Sequence, residues 1–206
     1  MVRVGISVEG TTEERFVQMV LAPYLAQQQI YMTPISMGGD VKLDKVKSEL
    51  KKIADSFDYV TTFYDFYGFK GKLDSDTKAS LEQKMRDHAH ASIQTKLLPY
   101  VQMHEFESLL FACPATMHSV LNQPDFQPTV ETWASKILQE FEQDPEKIND
   151  SPQTAPSKRL ESNTNYRKTT HGPNIAKQIG IKKLREACAG FNQWLTQLEQ
   201  LTKKSS

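Results

Sequence analysis

Cysteine is nearly absent from this chain of 206 residues, which holds only Cys113 and Cys188. They lie far apart and lack the paired spacing of a zinc site or a redox motif. Both read as ordinary buried thiols, because a free cysteine behaves as a small hydrophobe. Net charge is missing too: 25 Lys and Arg balance 25 Asp and Glu, so the whole molecule does not advertise affinity for a polyanion. No apolar run approaches the roughly 20 residues of a membrane helix, and no signal peptide precedes the first apolar stretch. The expectation is a cytoplasmic protein with no membrane partner. No internal repeat is present, and the tail Thr202 to Ser206 has the composition of a disordered end.

What is present is an alternation of strand and helix patterns. Val2, Val4, Ile6 and Val8 alternate with Arg3, Gly5 and Ser7, a pattern for a strand covered on both faces. The chain then turns through Glu9 and Gly10 into a helix over Glu13 to Gln28 that Pro23 kinks or shortens. Thr11 and Glu14 have the spacing of a capping box, which leaves Glu9 and Glu13 without a structural task. Ile30 to Met37 predicts a second strand, and Lys42 to Ala54 a helix with Leu43, Val46, Leu50 and Ile53 on one face. Asp58 to Asp65 reads as a third strand, Asp76 to Thr95 as a polar helix, and Leu97 to Met103 as a fourth strand.

The remainder changes character. Thr129 to Glu142 is helical, Asp144 to Thr170 is a long loop with a short helix at Ser157 to Ser162, and three helical segments follow from Gly172. The pattern as a whole predicts an α/β fold with a mostly parallel four-stranded sheet flanked by helices. Residues 1–115 form that domain and residues 116–206 a helical C-terminal extension packed on it, or the two make one compact body.

Three acidic clusters, near Glu9, Asp65 and Glu107, each fall at the carboxyl end of a different strand, where ligand sites of open α/β sheets lie. Convergent carboxylates are hard oxygen ligands of the kind Mg²⁺ or Mn²⁺ takes, and such an ion polarises a phosphodiester and generates a hydroxide. The plainer alternative is that these acids cap helices and sit solvated in loops. A second feature is basic: Lys158 to Glu186 holds eight Lys or Arg against two Glu. Lys158, Arg159, Tyr166, Arg167, Lys168 and His171 combine cations for phosphates with an aromatic ring, which suits a nucleic-acid groove or a solvated loop. His104 adjoins the acids as a base or as the orienter of Glu105. His88 and His90 read as surface residues of the polar helix. The cluster Tyr64, Phe66, Tyr67 and Phe69 reads as core or pocket wall, and Trp133 and Trp194 as packing anchors.

Stretches along nearly the whole chain resemble one family. Val8-Glu9-Gly10-Thr11-Thr12-Glu13, the strand end Tyr64-Asp65-Phe66-Tyr67-Gly68, Met103-His104-Glu105-Phe106-Glu107-Ser108-Leu109-Leu110-Phe111, and the later Pro156-Ser157-Lys158-Arg159-Leu160, Tyr166-Arg167-Lys168, His171-Gly172-Pro173 and Phe191-Asn192-Gln193-Trp194-Leu195 are similar to the DUF4276 family of bacterial Toprim-like proteins. The resemblance implies a Toprim-like domain related to the overcoming-lysogenization-defect nucleases. It also implies a divalent-metal-dependent nuclease acting on DNA or RNA, the effector of a defence-like system with an AAA or ABC ATPase as partner. Carried over, Glu9 is the primary acid and proton-transfer group, Glu13 its helical neighbour, Asp65 a metal ligand, and Glu107 or Glu105 the last contact. Lys158, or Lys168, would steady charge on phosphorus if it points at the acids.

One departure stands out. The second Toprim motif is Asp-x-Asp, whereas Asp65-Phe66-Tyr67 has a phenol at the second carboxylate position. Tyrosine, with a pKa of about 10, is a poor ligand for Mg²⁺ at neutral pH. A one-metal site fits that departure, and so does a non-catalytic Toprim-like module that binds an ATPase or nucleic acid.

Overall fold

The computed structural model describes residues 1–123, 125, 127–149 and 151–201; the tail Thr202 to Ser206 lies outside them. Strand β1 (Val2–Val8) pairs in parallel with β2 (Ile30–Ser36) on one side and β3 (Tyr59–Asp65) on the other. On the far side of β3 the expected single strand is two short ones, β4 (Leu97–Leu98) and β5 (Val101–Gln102), both parallel to β3. The break has a cause in Pro99, which has no N–H to donate. Thr62 mends it, its Oγ1 accepting from Tyr100 N–H and donating to Tyr100 C=O, both at 2.8 Å.

Both edges of the sheet are managed. Pro34 lies on the outer strand β2, where a missing donor is tolerated. At the opposite edge, Lys78 and Glu82 of helix α4 (Lys78–His88) stand in for a neighbouring strand: Lys78 donates to Val101 C=O, and the Glu82 carboxylate accepts from Val101 N–H at 3.0 Å. Side chains thus occupy the backbone groups another chain would otherwise pair with.

The first helix differs from its expected form. α1 (Thr11–Phe16) runs through one π-helical turn, Val17–Leu21, into α2 (Ala22–Ala26). The widened turn, in which Ala22 N–H reaches back to Val17 C=O, lets Pro23 follow without breaking the run. The cap is also not the expected one: Gly10 is the N-cap, and Glu13 accepts from Gly10 N–H at 3.1 Å. Glu13, not Glu14, therefore has the structural task. α3 (Leu43–Lys52) forms as expected. The polar helix over 76–95 is divided into α4 and α5 (Ala91–Gln94), because Ala89 and His90 are extended and His90 Nδ1 accepts from Ser92 N–H. His90 is therefore a cap, and His88 Nε2 lies 2.9 Å from Asp44.

After β5 come a 3₁₀ turn, Phe106–Ala112, and then α6 (Pro114–Leu121), for which the sequence carried no expectation. α7 (Val130–Glu140), α8 (Pro156–Asn163), α9 (Lys168–Ala187) and α10 (Ala189–Glu199) complete the chain. α9 begins four residues earlier than its glycines suggest, and Gly180 (φ 78°) breaks it in the middle. The long loop after residue 144 is shorter than expected, since Pro145–Lys147 and Pro152–Thr154 form 3₁₀ turns.

Two cores lie on opposite faces of the sheet, as the alternation of β3 requires. Phe63 joins Val4, Ile6, Phe16, Phe106, Phe191 and Trp194 in one; Val60 and Tyr64 join Val46, Leu50, Leu81 and Val101 in the other. Trp194 stacks on Tyr100 with ring centroids 4.5 Å apart and donates to Thr61 Oγ1 at 2.9 Å. Trp133 packs on Phe111. Gly5 is small for a reason: a Cβ there would stand 2.6 Å from the Phe57 ring that covers it. Cys188 is a buried thiol as expected. Cys113 is not ordinary; burial alone would raise its pKa, but Thr116 at 3.1 Å and the Lys183 ammonium at 3.5 Å bring it below the usual thiol value.

Candidate functional site

Glu9 and Asp65 stand at the carboxyl ends of β1 and β3, and Glu107 lies in the 3₁₀ turn that follows β5. Glu9 directly follows β1, and Gly39 N–H bonds its backbone carbonyl at 2.8 Å. Asp65 is the last residue of β3 and is 5 % exposed. Pairing continues past it, Phe66 N–H to Gln102 C=O and Tyr67 N–H to His104 C=O, which turns residues 104–107 towards Asp65. Phe106 N–H then donates to Asp65 Oδ1 at 2.8 Å. His104 takes a left-handed backbone (φ 62°) at this turn, a conformation uncommon outside glycine that often marks a functional constraint.

The acids share one field. Burial is the largest cause raising the Glu9 pKa, followed by the charge of Glu13, with Glu105 adding to it. Asp65 is pushed well above the usual carboxylate range by burial and then by Glu13, Glu107 and Glu9. Glu107, fully buried, is pushed up to about 7, first by burial, while Lys168 pulls the other way. Lys168 opens α9 and reaches in: its Nζ lies 3.5 Å from Glu107 Oε1. Glu107, Asp65, Glu13 and Glu105 together outweigh the burial that would lower its pKa, so the ammonium stays charged. Lys168 thus faces several buried or half-buried carboxylates, and Lys70 also acts on the Glu9 charge.

The expected site residues separate into those brought together and those that are not. Glu9, Glu13, Asp65, Glu105, Glu107 and Lys168 interact electrostatically. Lys158 is exposed and pairs first with Glu161 at 3.0 Å, although Glu105 and Lys168 also act on its charge. Arg159 donates to Thr154 C=O at 2.7 Å and lies over the Phe141 ring. Tyr166 is 6 % exposed and its hydroxyl donates to Glu107 Oε1 at 3.1 Å, so it orients an acid and has no face for a base. Arg167 is exposed, and its backbone N–H donates to His171 Nδ1 at 3.1 Å. Burial and Arg167 lower the His171 pKa. Helical periodicity could not have separated Lys158 from Lys168, because they lie on different helices, α8 and α9, whose packing the spacing does not carry.

Tyr67 accounts for the motif departure locally. Its hydroxyl accepts from the Asn149 amide and its ring lies 5.4 Å from that of His104. Burial raises its pKa, which keeps it a neutral phenol. Glu105 accepts from Ser157 N–H at 2.8 Å, at the start of α8. One contributor was not foreseen: Gly68, whose Cβ, were there one, would stand 2.2 Å from Glu9 Oε2. Its place at the end of the Asp65 motif was the available signal.

In donor chemistry the cluster fits a hard divalent cation, since all ligands are carboxylate oxygens. Glu9 Oε2 and Glu107 Oε2 are buried with no hydrogen-bond partner, a costly state that a cation relieves. In the arrangement described, however, Asp65, Glu13, Glu105 and Glu107 each spend an oxygen on a protein donor. Among the described residues no three His, Cys, Asp or Glu side chains surround a common point as metal ligands do. No helix of the described residues is long and apolar enough to cross a membrane.

Comparison with known proteins agrees with this architecture. The model of DUF4276, a domain of unknown function, matches residues 8–199. The C-terminal region of the Burkholderia pseudomallei OLD protein superposes with a TM-score of 0.52 at 12 % identity, over 96 % of this chain and 97 % of that one. The corresponding region from Xanthomonas campestris pv. campestris gives 0.44 at 14 % identity over 95 % of each chain. No curated protein sequence matches. The fold is Toprim-like, a parallel sheet flanked by helices.

Proposed function

The chain belongs to the DUF4276 family, and from that premise we propose that it is a divalent-metal-dependent nuclease that hydrolyses phosphodiesters of DNA or RNA. The observation that carries the reading is the meeting of Glu9, Glu13, Asp65 and Glu107 in one field around Lys168. Buried carboxylates that raise one another's pKa repel, and a bound cation would offset that repulsion.

In this reading Glu9, Asp65 and Glu107 hold Mg²⁺ or Mn²⁺, with Glu13 and Glu105 beside them. When bound, the ion polarises the phosphodiester and supplies a hydroxide at neutral pH. Glu9, raised in pKa and with a free Oε2, accepts or passes on the proton. Lys168 takes the role considered for Lys158: its Nζ neutralises charge developing on the phosphoryl oxygens. Tyr166 fixes the Glu107 rotamer through its hydroxyl. As in the resembled nucleases, an AAA or ABC ATPase is the partner that would deliver substrate in a defence-like system.

A second reading is a non-catalytic module that binds an ATPase or nucleic acid. The neutral Tyr67, held by Asn149 where a second carboxylate belongs, favours it. Incubating the protein with single-stranded DNA, duplex DNA and RNA in Mn²⁺, with and without an ATPase encoded beside it, separates the two. Cleavage that falls at least a hundredfold in Glu9→Gln and Asp65→Asn supports the nuclease; absence of cleavage in every condition, or cleavage untouched by both substitutions, overturns it.

A further inference from the structure

Two cavities lie beside the candidate site, and neither is lined by the basic segment 158–171. One, of about 410 Å³, has Phe66, Tyr67, Lys72 and Leu73 in its wall together with Asp74, Asp76 and Glu105. The other, of about 290 Å³, is lined by Lys42, Lys70, Lys72 and Lys84 against Asp44 and Asp76. They share Lys72 and Asp76 and so are contiguous, and Glu105 and Lys70 connect them to the acids, since both act on the Glu9 charge.

The two cavities differ in chemistry. In the first, Phe66 and Tyr67 are half-exposed at the end of β3, and Leu73 is 62 % exposed, a rare state for a large apolar side chain in this molecule. The Lys72 ammonium lies 5.4 Å from the Phe66 ring centroid and 5.8 Å from that of Tyr67. Phe66, Tyr67 and Leu73 make an apolar, aromatic side with the Lys72 ammonium over its rings, while Asp74, Asp76 and Glu105 complete the lining. The aromatic side takes a flat π-face where the ammonium gives way to it. In the second, Lys42 and Lys70 share Asp40, and Lys84 pairs with Asp76. Lys72 holds no ion pair among the described residues and stands where the two cavities meet.

Resting on the nuclease reading above, we propose that this paired cavity binds an unpaired nucleotide flanking the cleavage site, its base against Phe66 and Tyr67 and its phosphate at Lys70 and Lys72, so that the substrate is single-stranded. A duplex keeps its bases stacked inside and has no free face to lay on Phe66.

The test is fluorescence anisotropy with a fluorescein-labelled single-stranded oligonucleotide and its duplex, in chelator so that no cleavage occurs. The single strand is expected to bind at least tenfold tighter than the duplex. Phe66→Leu, which keeps the packing beneath the ring, and Lys72→Gln are each expected to weaken it by about tenfold. Lys72→Gln also lowers the slope of log affinity against log salt by about 0.7. Lys182→Gln, an exposed lysine on α9, leaves binding unchanged. Should Phe66→Leu fail to fold, Lys72→Gln carries the test. Equal or tighter duplex binding, no binding, or indifference to both substitutions overturns the proposal. Cleavage that persists under those outcomes leaves the nuclease reading intact; single-strand binding lost in these variants but without Mn²⁺-dependent cleavage overturns that reading and keeps only the single-strand site, with no cleavage beside it.

Discussion

Lys168 Nζ stands 3.5 Å from Glu107 Oε1, a partly exposed ammonium against a carboxylate with no exposure at all. The pair is asymmetric: the lysine keeps its charge easily, while the acid depends on it to ionise. Lys168→Met removes that support. Breaking a fully buried pair costs about 3–5 kcal/mol, but the lysine side chain is 38 % exposed, so solvent screening reduces the expected loss to about 1 kcal/mol. Cleavage should fall by about 10²-fold or more, while the rise in melting temperature on adding Mn²⁺ is kept or enlarged, because a competing cation has gone. Calorimetry with and without Mn²⁺, alongside a cleavage assay, checks both parts.

Glu107 gives a pH dependence with a definite sign. Its pKa is about 7 in the fold against 4.5 for the unperturbed group, so the native state holds a proton that the unfolded chain has lost. Stability from this group is complete below about pH 4.5 and is lost as pH rises towards 7. The size is on the order of 3 kcal/mol. Asp65, also raised, acts in the same direction. Denaturation of metal-free protein between pH 4.5 and 7.5 should therefore show falling stability, and Glu107→Gln should flatten the fall. Saturating Mn²⁺ should offset it in the parent protein, because a ligand bound only by the fold stabilises it.

Gly68 offers a substitution that moves one ligand and little else. Alanine there would meet Glu9 Oε2 at 2.2 Å and its carboxyl carbon at 2.9 Å. The obstacle is the end of a side chain, which swings away at small cost. Gly68→Ala should keep the melting temperature of the metal-free protein within about 2 °C and lose most of the Mn²⁺-induced rise, as Glu9→Gln does. A large loss of stability with an intact Mn²⁺ response would mean that Glu9 is not a ligand.

The carboxyl-end positions of Glu9 and Asp65 were readable because β1 and β3 have strong apolar or β-branched patterns, and a strand ends where its pattern ends; Glu107 lies further on, in the 3₁₀ turn after β5. The partners of those acids were not readable. That Glu13 caps α1 depends on where Gly10 places the first turn, one residue earlier than Thr11 and Glu14 suggest. The choice of Lys168 over Lys158 depends on how α8 and α9 pack, a tertiary matter on which their spacing is silent. Pro99 hid a division of one strand into two that only the Thr62 hydroxyl makes workable. Tyr166 read as a ring that stacks or hydrogen-bonds, and no local signal decides between the two; its hydroxyl is claimed by buried Glu107.

The edge of the sheet makes a prediction independent of any chemistry. Glu82 accepts from Val101 N–H and Lys78 donates to Val101 C=O. Replacing both by alanine uncovers a strand edge. The double variant should lose about 2 kcal/mol and self-associate on heating, which light scattering during thermal unfolding would reveal; a monomeric melt of unchanged midpoint would refute it.

The central claim is that Glu9, Asp65 and Glu107 together hold a divalent cation. Anomalous difference density from crystals soaked in Mn²⁺ tests it most directly. The account predicts a peak bounded by those three carboxylates, lost in Asp65→Asn. A fully ordered site with every carboxylate still on its present protein donor, and no peak at saturating Mn²⁺, would contradict it.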